Sequence, residues 1–108
     1  MSYKKLVRDN IPDIIKSNGE EPITRVLSDK EYKLELEKKL LEECQEVLTS
    51  KGNERIEELA DLLEVIISLA KLEDKTLDDV IEVFKAKRLK RGSFDKKIYL
   101  EDVKEKVI

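Results

Sequence analysis

A chain of 108 residues, 44% charged and 40% hydrophobic, is long enough for one domain with a modest core and too apolar to stay disordered. Its net charge of −3 lacks the basic footprint of a nucleic-acid binder. It has no histidine, which excludes imidazole zinc sites, histidine general bases and the Glu-x-x-His motif of di-iron bundles, so catalysis would rest on carboxylates, Lys, Arg, Tyr or a metal held by oxygen. The single cysteine, Cys44, forms no internal disulfide and reads as a small core residue. The opening MSYKKLVRDNIPDII lacks the apolar core of a signal peptide, and no apolar run nears the ~18 residues of a membrane span. A soluble cytoplasmic protein is the expectation.

In chain order, Pro12 opens a short helix that Asn18-Gly19 closes. ITRVL (23–27) is a β-branched run suited to a short strand or an extended arm. Ser28 and Glu31 have capping-box spacing and open a helix to about Ser50, with Leu36, Leu40, Leu41, Cys44, Val47 and Leu48 at helical intervals. SKGN (50–53) breaks it, with Asn53 as the expected N-cap of a second long helix, about Glu54 to Leu72. That helix contains LLEVIISLA, apolar nearly all round, which predicts burial on all sides and therefore a second subunit. TLDD (76–79) opens a third long helix to about Arg91, ended by Gly92, and KIYL (97–100) is a short extended or strand-like stretch. The prediction is an all-α, antiparallel helical bundle in a single domain over 1–108, with extended pieces near both termini.

Acids stand beside the most apolar segments. Projected at about 100° per residue, Glu43 aligns with Leu36, Leu40 and Val47, Glu46 lies beside it, and Glu42 falls further out. On the next helix Glu58 aligns with Leu62, Val65 and Leu69, Asp61 flanks it, and Glu57 and Glu64 point outward. An antiparallel pair would bring Glu43 and Glu46 opposite Glu58 and Asp61, a hard-oxygen set suited to Mg²⁺ or Mn²⁺. In so acidic a chain the same spacings also suit solvated acids paired with Lys. The two readings stand side by side at this level.

The segments EECQE and ELAD fit the E-E-x-x-E, spacer, E-x-x-D pattern of the all-α nucleoside triphosphate pyrophosphohydrolases, the MazG-like superfamily. The start YKKLVRDNIPDII resembles the KLVRDKIPEII opening of a phosphoribosyl-ATP pyrophosphohydrolase-like branch, and KRLKRGSFDKKIYL is similar to that branch's ending. Asn10 stands where the branch usually has Lys, and Ser93 where Gly is usual.

The resemblance implies Mg²⁺-dependent hydrolysis of a nucleoside triphosphate between the α and β phosphorus atoms, giving a monophosphate and pyrophosphate. By position it implies Glu43, Glu46, Glu58 and Asp61 as metal ligands, and Glu42 or Glu46 as the acid that orders a ligand or takes a proton from water. Lys87 and Arg91, four apart on the third long helix, would bind phosphate, as would Arg8 and Lys4; cations near a helix C-terminus are also favoured by its dipole alone. Tyr3, Tyr32, Phe94 and Tyr99 suit either base stacking or packing. A homodimer or homotetramer through residues 54–72 is expected, with neither nucleic acid nor membrane as partner. The alternatives are phosphoribosyl-ATP pyrophosphohydrolase of histidine synthesis and a non-catalytic helical assembly module.

Overall fold

The computed structural model of the chain describes residues 4–106; Tyr3, one of the stacking candidates, lies outside them. The fold is all-α. Among the described residues it has four helices and no strand: α1 (Ile11–Ser17), α2 (Asp29–Thr49), α3 (Asn53–Leu72) and α4 (Leu77–Arg91). No helix among them is long and apolar enough to cross a membrane.

The residues group into two units, one within Met1–Leu77 and one within Asp78–Ile108. In the first, α1 carries Pro12 in its opening turn and ends at Gly19, whose φ of 82° is the left-handed conformation that glycine adopts without a Cβ penalty. Residues 20–28 then run without helix or strand, and Ile23 and Val26 are almost fully exposed. ITRVL is therefore an arm rather than a strand, because no second strand is present to satisfy its backbone.

The capping box forms as the spacing predicts. Ser28 Oγ accepts from the Glu31 N–H at 3.2 Å, and Glu31 Oε1 accepts from the Ser28 N–H at 3.3 Å. Such a cap is typically worth about 1 kcal/mol. Arg25 adds a two-pronged grip on Glu31 at 2.7 and 3.2 Å. Together Arg25 and the Ser28 donors hold the Glu31 carboxyl at about 2.

α2 and α3 are joined by Ser50–Gly52, a connection so short that they must run antiparallel against each other. Gly52, not Asn53, occupies the N-cap position of α3. Its φ of 58° and ψ of −133° lie where only glycine is comfortable, so the turn geometry displaces the expected Asn cap by one residue.

The core is thin. Leu36 on α2 and Val65 on α3 are the buried hydrophobic residues among those described, and neither is fully sealed from solvent. The expectation that α3 is buried on all sides is not met within the chain: Ile56 is 65% exposed, and Leu59 and Leu63 are exposed as well.

In the second unit α4 places Arg88 over the Phe84 ring at 5.7 Å and ends at Gly92, whose φ of 82° marks the left-handed stop. Residues 93–106 form neither helix nor strand, so KIYL has no ladder partner, and Ile98 and Tyr99 are exposed.

Candidate functional site

Glu43 and Glu58 owe their place to the hairpin. Each lies two helical turns from the one buried apolar residue of its own helix, Leu36 on α2 and Val65 on α3. The antiparallel pairing then brings both acids to the same level of the interface. Glu43 is 7% exposed, a degree of burial that carboxylates rarely reach without a partner. Asp61, one turn beyond Glu58, joins them: one oxygen from each of Glu43, Glu58 and Asp61 lies within 4.8 Å of the others.

Glu46 is not in that tight trio. It stands next to Glu58, within hydrogen-bonding reach when Glu58 is protonated. Hydrogen bonding with Glu46, burial, and the charges of Glu46, Asp61 and Glu43 push Glu58 up to about 7. Glu43 is also raised, chiefly by burial and then by Glu46 and Asp61, with Lys39 acting in the opposite sense. Glu43 Oε2 and Glu58 Oε2 are buried and have no hydrogen-bond partner. A buried polar atom left unpartnered costs roughly 1–3 kcal/mol, so these two oxygens carry unmet hydrogen-bonding capacity.

Beside the acids opens a cleft of about 260 Å³, lined by Lys5, Arg8, Lys39, Glu43 and Asp61 among others. Arg8 is tied to the cluster, its Nη2 donating to Asp61 Oδ1 at 2.7 Å across 53 positions of sequence. Lys39 Nζ lies 3.2 Å from Glu42 Oε2. Glu42, the outer acid of the motif, is thus exposed and engaged with a lysine rather than turned into the trio.

Lys4 is exposed, and the lysines that line the cleft are its neighbour Lys5 and Lys39 of α2. Lys39 was findable, standing three and four residues before Glu42 and Glu43 and so on their side of α2. Lys87 and Arg91 are exposed on α4, within the second unit, as are Phe94 and Tyr99. Tyr32 is half-buried on α2 and Cys44 half-buried one residue from Glu43.

Comparison with known proteins adds little about identity. No family model matches the chain, and no solved structure matches it. A segment of 43 residues is 49% identical to an uncharacterized protein of Mycolicibacterium smegmatis. The matched segment takes in 40% of this chain and 44% of that protein, so the likeness spans less than half of either.

Proposed function

We propose that the chain is a Mg²⁺-dependent nucleoside triphosphate pyrophosphohydrolase of the MazG-like type, which adds water between the α and β phosphorus atoms and releases a monophosphate and pyrophosphate. The observation that carries this reading is the convergence of Glu43, Glu58 and Asp61 within 4.8 Å, with two buried oxygens unpartnered, beside a cleft whose lining includes Lys5, Arg8 and Lys39. An all-oxygen donor set of carboxylates fits Mg²⁺, with Mn²⁺ as a substitute, and does not suit a soft metal. When bound, Mg²⁺ supplies charge neutralisation at phosphate oxygens and acidifies water.

The chain's own residues have distinct tasks under this reading. Glu43, Glu58 and Asp61 would hold the ion, with Glu46 as a fourth acid reached through Glu58. Glu58, held at about 7, gives up its proton near neutral pH and would then be free to act as a ligand. Glu46 and Glu42 are the candidates to receive a proton from water, and Glu46 stands beside Glu58. Arg8, beside Asp61 in the cleft, is the candidate for binding phosphate, with Lys4 nearby in sequence. The substrate would be a free nucleotide of the cytoplasm, in keeping with removal of non-standard nucleotides. Incubation with Mg²⁺ and a panel of nucleoside and deoxynucleoside triphosphates, phosphoribosyl-ATP included, is expected to release pyrophosphate from at least one. No pyrophosphate from any of them would refute the activity.

Self-association belongs to the same reading. Leu34, Leu41 and Leu48 are exposed at seven-residue intervals along α2, and Ile56, Leu59 and Leu63 form an exposed stripe on α3. Burying a large apolar side chain stabilises by about 1.5–3 kcal/mol, so covering these two stripes with a second copy is strongly favoured. Light scattering is expected to report a dimer or tetramer, and a monodisperse monomer would contradict this. A non-catalytic assembly module would share that oligomer and differ in ignoring Mg²⁺.

A further inference from the structure

Arg8 lies in an unusual place for a residue meant to bind phosphate. Its guanidinium is 2.7 Å from Asp61 Oδ1, one of the three acids that converge. A bound divalent ion and Arg8 would thus compete for the same carboxylate. The pair is exposed on both sides, 57% for Arg8 and 44% for Asp61. Exposed ion pairs are worth only about 0.2–1 kcal/mol, so Arg8 is easily displaced by a doubly charged ion held by several carboxylates. Released from Asp61, it remains in the cleft, where Lys5 and Lys39 supply two more cations.

We propose that Arg8 is an exchangeable stand-in cation, neutralising Asp61 in the metal-free protein and passing to a diphosphate group in the cleft once a divalent ion takes Asp61. The inference rests on the metal site proposed above and gives it a built-in order: the ion binds first, and its arrival creates the free guanidinium that the phosphate needs. A guanidinium suits this exchange because its planar fork matches a carboxylate and a phosphate equally well. Lys5 provides the internal control, since it lines the same cleft but is not the residue paired with Asp61.

Titration calorimetry on the full chain tests this with two probes, Mg²⁺ alone and then inorganic pyrophosphate at saturating Mg²⁺. Removing the competitor by Arg8→Ala is expected to tighten Mg²⁺ binding by roughly two- to five-fold, the equivalent of an exposed ion pair. The same variant is expected to bind pyrophosphate at least about ten-fold more weakly, the usual loss for a charge-assisted contact. Opposite signs in one variant are the signature, and Arg8→Lys should recover part of the pyrophosphate binding.

If Arg8→Ala binds Mg²⁺ no more tightly than wild type, the exchange is refuted and the metal site stands. If Lys5→Ala tightens Mg²⁺ as much as Arg8→Ala, the effect is one of general charge and the exchange is again refuted. Unchanged pyrophosphate binding in Arg8→Ala refutes the handover. Binding of Mg²⁺ by Arg8→Ala but not by wild type would support the exchange in its strongest form. Should no variant bind Mg²⁺, the metal site and the exchange fall together.

Discussion

Glu58→Gln is expected to lose pyrophosphate release by roughly 10²–10³-fold, because several kcal/mol of metal-derived charge stabilisation convert at about 1.4 kcal/mol per tenfold in rate. The same variant is expected to melt higher than wild type above neutral pH in the absence of divalent ions. Glu58 stands among Glu43, Glu46 and Asp61, and hydrogen bonding with Glu46, then burial and the repulsion from these acids, raises it to about 7. Gln keeps the shape and the hydrogen-bonding capacity and removes the charge, so the fold gains what the site loses. This opposition separates a ligand from a structural residue, for which a lower melting temperature would accompany lower activity. Turnover within two-fold of wild type would remove Glu58 from the site, and an unchanged melting temperature at pH 8 would deny that the acids repel one another there.

The features legible in the sequence were those set by local rules. Ser28 and Glu31 announce a helix start because a capping box is complete within four residues, and it forms as spaced. Glu43 and Glu58 were legible because helical periodicity alone puts each in line with an apolar residue that proves buried, Leu36 and Val65. The unread features depend on contacts that periodicity cannot reach. Arg8 meets Asp61 across 53 positions, from a segment with no helical repeat to fix its direction, and for the same reason Lys5 could not be told from Lys4 as the lysine of the cleft. Glu46 was placed beside Glu43 by projection, yet its strongest influence is on Glu58 of the other helix, a matter of side-chain rotamer rather than of phase. The N-cap of α3 moved from Asn53 to Gly52 because a three-residue connection needed a backbone conformation that outweighs a side-chain cap. Apolar girth in α3 was read correctly as a pattern, but burial depends on what lies alongside, and Ile56, Leu59 and Leu63 find no cover within the chain.

The melting temperature of the metal-free protein is expected to fall with rising pH, and the rise that Mg²⁺ produces is expected to grow over the same interval. In the metal-free protein Glu58 sits at about 7 and Glu43 is also raised, both from an ordinary 4.5. A carboxyl whose affinity for the proton is higher in the folded state stabilises the fold when protonated. That stabilisation is fully present below about pH 4.5 and is lost as pH rises through about 7, so the metal-free protein should melt progressively lower across this window. Glu31 acts with the opposite sign in a separate window, its contribution being lost only as pH falls from 4.5 towards about 2. Mg²⁺ binds the deprotonated acids, so the rise in melting temperature that it produces should grow with pH over the interval in which the metal-free protein weakens. At a hundred times its dissociation constant a ligand stabilises by about 2.7 kcal/mol, which for a domain of this size is a shift of roughly 10–20 °C. Sodium chloride at matched ionic strength is the necessary control, because salt alone screens repulsion among exposed acids. An equal shift from sodium chloride, or a Mg²⁺ shift that does not change between pH 5.5 and 8, would mean that Glu43, Glu58 and Asp61 do not form a cation site. A Mg²⁺ shift that appears only as Glu58 loses its proton would tie the ion to that carboxylate.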